Sequence, residues 1–443
     1  MTARRTLGSD PISGPARRDR RWHPSRVPRL LLLGALAGAL LWPNPAQTLG
    51  PDYRLRWYVS GPTPDTLSER RNPAHLLSQV EVRRLLFALR GAARDADHVA
   101  AALHGSDVSL NDLLATGLVR ERAGAYVLGF PLITSEDAQR LAEVSERFAR
   151  DLADAYLARW TDVEEILQRY PLPHVDRSEL AFVLVGCFSL DWDGLDLTYE
   201  LGYRSVRREP PPIVRWAIEA EASRPRAVYW GSHNEHLDNG ISFTSFGDFH
   251  SIPRTGFPDL MWSMGRGTLD ADLPATIRTG LQRAAADDLD EMMRRLGAVM
   301  FALRSGGKTV DEVSTTATLD HQTTAELLDL LEGLGYVHHE SGRYHAAIPV
   351  LGEEDAAMVA DLRRLGREVM TGWLAENYEV YQATLMRVTP IGHALPFEAS
   401  FWNTWHWLFG TANRLLVEEG VFADPYDAQR RFKGFVPVVW SHG

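Results

Sequence analysis

The feature that most constrains this chain is an internal repeat. The segment "GLVRERAGAYVLGFPLITSED" (117–137) matches "GYVHHESGRYHAAIPVLGEED" (335–355) without a gap, 218 residues later. Upstream, "LLFALRGAARDADHVAAAL" (85–103) lines up with "AVMFALRSGGKTVDEVSTT" (298–316), and both contain Phe-Ala-Leu-Arg. Identity at a nearly fixed spacing indicates a duplicated unit, so we expect two similar bodies within the chain's 443 residues.

Each copy predicts the same local elements. An apolar-periodic helix ends near Gly91 or Gly306, and two shorter helices follow, at 95–103 and 109–116 in one copy and at 310–316 and 321–332 in the other. Two extended runs then flank a glycine turn, at Gly124 and Gly342. Three helices followed by a hairpin resemble the winged helix-turn-helix fold, broadly that of ArsR-like regulators. The resemblance implies DNA binding through the third helix and the wing.

Long helical stretches follow each hairpin, at 134–160 and 352–378, and a last helix is predicted at 179–202 and 398–420. Between the copies lies a segment rich in Pro, Gly and aromatic residues. Its "AVYWGSH" (227–233) echoes the chain end "PVVWSHG" (437–443), which indicates a strand-like tail in each copy. The predicted fold is mainly α (α+β): a leader (1–48), a winged-helix-like unit with a helical appendage (49–203), a β-containing or irregular insertion (204–285) and a second such unit (286–443).

The N-terminal segment has the composition of a secretory leader. Eight arginines and two aspartates give the first 29 residues a net charge of +6, and "LLLLGALAGALLW" (30–42) follows. Thirteen apolar residues are too few for a transmembrane span, which needs about 20. We therefore expect an exported protein without a stable membrane span; the alternative is a cytoplasmic protein with a misassigned start codon. The single cysteine, Cys187, excludes internal disulfides and is expected in an apolar core.

Charge argues against nucleic acid. The chain carries −11 overall, which leaves −17 outside the basic leader. The predicted third helices, "SDVSLNDLLATG" and "LDHQTTAELLDLLEG", are acidic. If DNA were bound nevertheless, the third helix of the second copy and the two wings would supply the candidate contacts: His321, Gln322, Arg120, Arg122 and Arg343.

Other candidate sites lie in the insertion and near the C-terminus. "GSHNEHLDNG" and the following "SFGDFH" supply imidazoles for a metal site, namely His233, His236 and His250. The acidic stretch 191–200 is interpreted as a solvated helix start or turn. "FWNTWHWLFG" (401–410) aligns with "FVLVGCFSLD" (182–191), which predicts an apolar helix packed against the winged helix of its own copy. Its extra aromatic side chains make Trp402, Trp405 and His406 the candidate ligand-binding residues.

The function predicted from these observations is that of a non-enzymatic binding or regulatory protein. Its duplicated units would serve as a scaffold for a protein partner or a small ligand, with no catalytic residue and no cofactor assigned. Two alternatives stay open. One is a DNA-binding ArsR-like regulator, and the other is an exported metal-dependent enzyme centred on the insertion (231–250).

Overall fold

The computed structural model describes residues 54–59, 71–203, 214–219, 232–237, 239–247, 275–284, 289–388, 397–425 and 435–441. The predicted leader and most of the predicted insertion lie outside these ranges. The described residues are mainly helical with small sheets, so the prediction of a mainly α fold is confirmed. No helix among them is long and apolar enough to cross a membrane.

The described residues of the first half form eight α-helices, one π-helix and five short strands. In chain order the elements are β1 (Leu55–Val59), α1 (Pro73–Ser78), α2 (Val80–Gly91), α3 (Ala96–Ala102), α4 (Leu110–Ala115), β2 (Val119–Arg122), β3 (Ala125–Leu128), β4 (Leu132–Ile133), α5 (Ser135–Leu157), α6 (Trp160–Leu167), α7 (Arg177–Ala181), the π-helix (Phe182–Asp193), α8 (Gly194–Glu200) and β5 (Val214–Glu219).

The second half follows a similar order. Its elements are β6 (Ser232–His236), β7 (Ile241–Gly247), α9 (Ala275–Ala284), α10 (Leu289–Leu303), α11 (Val310–Ala317), α12 (His321–Leu334), β8 (Val337–Glu340), β9 (Arg343–Ala346), β10 (Val350–Leu351), a 3₁₀ turn (Glu353–Asp355), α13 (Ala356–Val388), α14 (Phe397–Glu418) and β11 (Phe435–Ser441).

The two hairpins have the same turn geometry. Ala123 and Gly124 have φ of 52° and 77°, and Ser341 and Gly342 have the same two values. Two consecutive residues with positive φ are typical of a type I′ turn, which matches the right-handed twist of a short hairpin. The predicted glycines therefore occupy the positions that need them.

The arginine of each Phe-Ala-Leu-Arg motif forms an equivalent ion pair. Arg90 ends its apolar helix and pairs with Asp137 at the start of α5. Arg304 pairs in the same way with Asp355, with 3.2 Å between its Nε and Oδ2 of Asp355. Each aspartate also accepts a 2.9 Å hydrogen bond from a backbone N–H three residues earlier. In both halves the pair fixes the direction in which the long helix leaves the hairpin.

Two small sheets have matching strand orders. The first is β1-β5-β4 and the second is β6-β7-β11-β10. In each, the central strand (β5 or β11) pairs antiparallel with a strand from the start of its half and parallel with the short strand after the hairpin. Ala217 donates to the carbonyl of Pro131 at 3.0 Å, and Val439 donates to that of Pro349 at 3.0 Å. The positional equivalent of β11 is therefore β5. Of the echoed segment 227–233, residues 227–231 lie outside the described residues, and 232 and 233 begin β6.

The helical appendages of the two halves pack across each other. Helix α5 of the first half packs against α13 and most extensively against α14, while α13 packs against the π-helix. These four helices share one hydrophobic core with the second helix-and-hairpin unit. The first such unit has a smaller core of its own, which runs from Leu55 to Leu132 and includes Ala217 of β5.

Candidate functional site

The aromatic run lies in α14, at the boundary between the two halves. Trp405 is fully buried, and its indole N–H donates to the carbonyl of Leu190 in the π-helix at 2.9 Å. A methyl group at Gly194 would lie 2.5 Å from the Trp405 ring, so only glycine fits there. The expectation that this helix packs against its own winged helix is wrong, because its main contacts are with α5 and the π-helix.

The predicted ligand residues differ in what the structure shows of them. Trp405 packs in the core, stacked on Phe401 with ring centroids 5.7 Å apart. Trp402 lies in α14, but its side chain is outside the described part of the chain. His406 is only 7% exposed. Its Nε2 lies 3.6 Å from Oδ1 of Asp191 in the π-helix.

Asp191 is the site residue that sequence reasoning missed. The acidic stretch from residue 191 is interpreted from sequence as solvated, yet Asp191 and Asp193 are both buried. Arg363 of α13 pairs with Asp193, and its Nε is 2.7 Å from the carboxylate. Asp191 faces His406 rather than an arginine, and burial raises its pKa to about 7. The correction has a physical reason: a π-helix carries both carboxyls to inward-facing positions that an α-helical or turn pattern does not predict.

The same π-helix makes close contact with α13. A methyl group at Gly366 would overlap the hydroxyl of Ser189, and that hydroxyl lies 3.0 Å from the phenol oxygen of Tyr156. Cys187, one turn before Asp191, is buried, and burial raises the pKa of its thiol. Cys187 is therefore held in the protonated, unreactive form, as its apolar sequence context predicts.

Of the three insertion histidines, His236 is the one whose side chain the structure describes. His236 ends β6, and its Nδ1 lies 2.6 Å from the hydroxyl of Ser242. His233 pairs with Ser245 along the sheet, but its side chain is not among those described. His250 lies outside the described residues. Within the described ranges, no group of three or more His, Cys, Asp or Glu side chains is arranged to hold a metal ion.

The candidate DNA contacts of the second unit already face acidic neighbours. His321 lies with its Nε2 3.4 Å from Asp311, and Gln322 donates to Glu326 at 3.2 Å. Arg343 in the second hairpin pairs with a carboxylate on α11, Glu312 at 2.8 Å. In the first hairpin, Arg120 and Arg122 are exposed, with Glu121 between them.

A groove on the outside of the bundle is lined by residues of α5 and α13. Its volume is about 410 Å³. Asp151 and Arg159 line it from the first half, and Gly372, Trp373 and Glu376 line it from the second. Asp151 and Glu376 are exposed, whereas Trp373 is 4% exposed. Sequence reasoning missed this groove because its walls come from different halves of the chain.

Comparison of the chain with models of protein families, with characterised proteins and with solved structures finds no match. The arguments on function therefore depend on the residues and on their geometry.

Proposed function

We propose that the protein is a non-enzymatic binding or regulatory protein built from two duplicated winged-helix-like units. The order of helix, hairpin, long helix and returning strand in both halves supports the duplication. The crossed packing of the appendages supports a scaffold that behaves as an internal dimer, with each half completing the core of the other.

The single observation that carries the binding function is the groove between α5 and α13. Ligand pockets in helical bundles are built from side chains of facing helices, and the groove is at the small end of the volume range for ligand sites. It combines exposed carboxylates with a buried aromatic wall. A change in the angle between α5 and α13 would be transmitted to both helix-and-hairpin units. Each of these long helices begins at an ion pair that joins it to the helix before its hairpin.

The ion pair formed by Arg343 supports a partner other than DNA. A phosphate backbone needs cations that are available to it, and Arg343 is engaged by Glu312. Fluorescence anisotropy with a labelled duplex at low salt tests this point. We expect no saturable binding. Saturable binding that weakens steeply with salt would instead support the ArsR-like alternative.

A thermal-shift screen of small metabolites tests the binding function. We expect at least one compound to raise the melting temperature without being consumed when it is followed by NMR. Consumption of the compound would support the alternative of an exported enzyme. If no compound and no protein partner changes the melting temperature or the sedimentation of the protein, the proposal is wrong.

Export through the predicted leader is part of the same proposal. Mass spectrometry of the native protein would then find a mature N-terminus near residues 46 to 48. A native N-terminus near residue 50 on a cytoplasmic protein, with no trace of a leader in the precursor, would favour the misassigned start codon.

A further inference from the structure

Three histidines meet where the first half of the chain contacts the second hairpin. His338 on β8 and His345 on β9 lie directly opposite each other. His174 belongs to the loop between α6 and α7 (168–176), and its ring centroid lies 4.2 Å from that of His345 and 5.8 Å from that of His338. His174 and His338 are exposed, and His345 is partly buried. The contact between loop and hairpin is therefore made by ionisable rings.

The loop that carries His174 is anchored to the second half at another point. The buried hydroxyl of Tyr170 donates to the carbonyl of Val350 at 2.9 Å and accepts from the N–H of Val350 at 2.7 Å. The guanidinium of Arg304 lies 5.0 Å from the centre of the Tyr170 ring. Tyr170 thus forms the inner part of this contact, and His174 forms the outer part.

The imidazole of His345 is confined between His174 and the backbone. A methyl group at Gly307 would lie 2.1 Å from Cε1 of His345, so the ring rests on the turn before α11. Burial lowers the pKa of His345, and the neighbouring His174 and His338 lower it further. A proton on one ring therefore disfavours a proton on the ring beside it.

The charged residues of the hairpin do not balance three imidazolium ions. Glu340 faces the cluster, with its Oε2 3.9 Å from Nε2 of His338, and compensates one positive charge at most. Arg343 acts on His345 in the opposite direction and is itself paired with Glu312 of α11. Protonation of a second ring is therefore unfavourable while the contact is closed.

The loop and the turn beside the cluster add little negative charge. Asp176 accepts hydrogen bonds from the N–H and the hydroxyl of Ser178, both at 2.8 Å, and so caps α7. Arg177 lies over the ring of Tyr170. Lys308 bonds through its backbone to Tyr344 in the turn before α11. These two elements contribute one engaged carboxylate against two cations.

The first hairpin has the same geometry without the histidines. At the 218-residue offset of the repeat, Arg120 and Val127 take the places of His338 and His345. They also lie opposite each other in the strand register, as the two histidines do. The first hairpin therefore serves as an internal control for any effect of protons on the second.

We infer that His174, His338 and His345 form a pH-sensitive contact, which holds the second hairpin against the α6–α7 loop when the rings are neutral and releases it when they are protonated. Unperturbed histidines ionise near pH 6.5. Because the pKa of His345 is lowered in the closed contact, the contact is most stable above that pH and loses stability as the pH falls below it. The Tyr170 anchor contains no histidine, so the opening is local. This response to acidity goes beyond the proposed binding function and does not depend on a ligand.

Hydrogen exchange of the full chain, measured by mass spectrometry at pH 7.5 and pH 5 in the presence of EDTA, tests for the release. A two-stranded hairpin is only marginally stable alone, so loss of the loop contact should speed its exchange. After correction for intrinsic rates, we expect the protection of β8 and β9 to fall about tenfold, the change that one proton produces over one pH unit. Protection of β2 and β3 should stay constant. An unchanged second hairpin, or an equal fall in both hairpins, would overturn the inference.

Variants of His174 separate charge from packing. His174→Gln should reduce the acid-induced fall in protection to about twofold or less, whereas His174→Lys should lower protection already at pH 7.5. His104→Gln changes an exposed histidine after α3 and should behave as wild type. A full acid-induced fall in His174→Gln would overturn the inference.

NMR titration of the ring carbons in chain labelled with ¹³C-histidine gives a readout that does not depend on exchange. The pKa of His345, assigned by the loss of its signal in His345→Gln, should lie below its ordinary value and rise toward it in His174→Gln. The same pKa of His345 in wild type and His174→Gln would mean that the two rings are not coupled, and the inference would be wrong.

Discussion

The indole N–H of Trp405 donates to the backbone carbonyl of Leu190, 215 residues earlier in the chain, at 2.9 Å. This hydrogen bond joins the last helix of the second half to the π-helix of the first. Trp405 also contacts Trp373, with ring centroids 6.3 Å apart, which connects the boundary to the wall of the groove. The aromatic run thus packs across the boundary between the two halves.

The first prediction concerns Trp405→Phe. The substitution leaves the Leu190 carbonyl without its donor and opens a cavity, so we expect a loss of about 2 to 4 kcal/mol in the free energy of unfolding. Urea unfolding followed by far-UV circular dichroism measures it. Trp440→Phe is the matched control, because its indole bonds Thr244 at 2.9 Å in a less buried place. A loss for Trp405→Phe no larger than that of the control would contradict the prediction.

The second prediction compares the two repeated ion pairs. Arg304→Met leaves Asp355 buried without its cation, for which we expect a loss of about 3 to 5 kcal/mol. Arg90→Met should cost about half as much, because the Arg90 side chain is 24% exposed and that of Arg304 only 7%. Urea unfolding checks both values. The double variant Arg304→Met/Asp355→Asn should regain most of the loss, and failure to regain it would mean that the ion pair is not its cause.

The sequence predicts the helix-and-hairpin elements because their signals are local: glycine turns, capping residues and apolar periodicity. It also aligns α14 correctly with the region of the π-helix. It cannot show that these helices cross between halves, since that depends on contacts such as the one between Trp405 and Gly194. The burial of Asp191 was missed for a similar reason. A π-helix has no pattern that the residues reveal, and the partner of Asp191 lies more than 200 residues away.

The third prediction concerns the pH dependence of stability. In the native state Asp191 holds its proton up to a pKa of about 7, while in the unfolded chain it ionises near its usual value of 3.8. The native state therefore binds more protons between pH 4 and 7, so this group lowers stability as the pH rises through that window. Relative to wild type, Asp191→Asn should gain stability from pH 4 to 7, by about 4 kcal/mol at most, and remain level above pH 7.

Urea unfolding at a series of pH values measures that difference. Subtracting the wild-type curve removes the contributions of other carboxyls, including Asp112 and Glu312, whose pKa values hydrogen bonds lower. Asp97→Asn, at an exposed position of α3, is the control for an Asp→Asn change outside the core. A difference for Asp191→Asn no steeper than that of the control would mean that the Asp191 carboxyl is ionised in the native state at acidic pH.

The last prediction compares two glycines on α13. Gly372 faces open space, so Gly372→Ala should raise the free energy of unfolding by about 0.5 to 1 kcal/mol, the helix-propensity difference between alanine and glycine. Gly366 is in contact with Ser189 and the hydroxyl of Tyr156. Gly366→Ala should therefore destabilise the protein by about 1 to 3 kcal/mol through overpacking, despite the same gain in propensity.

Because the two changes are chemically identical and lie six residues apart on one helix, the difference between them isolates the contact with the π-helix. Urea unfolding of both variants measures it, and Gly366→Ala/Ser189→Ala, which removes the overlapping hydroxyl, should recover part of the loss. Equal effects of the two single variants would mean that α13 does not approach the π-helix as closely as described. In that case the groove above Gly372, which depends on the same helix position, would have to be wider as well.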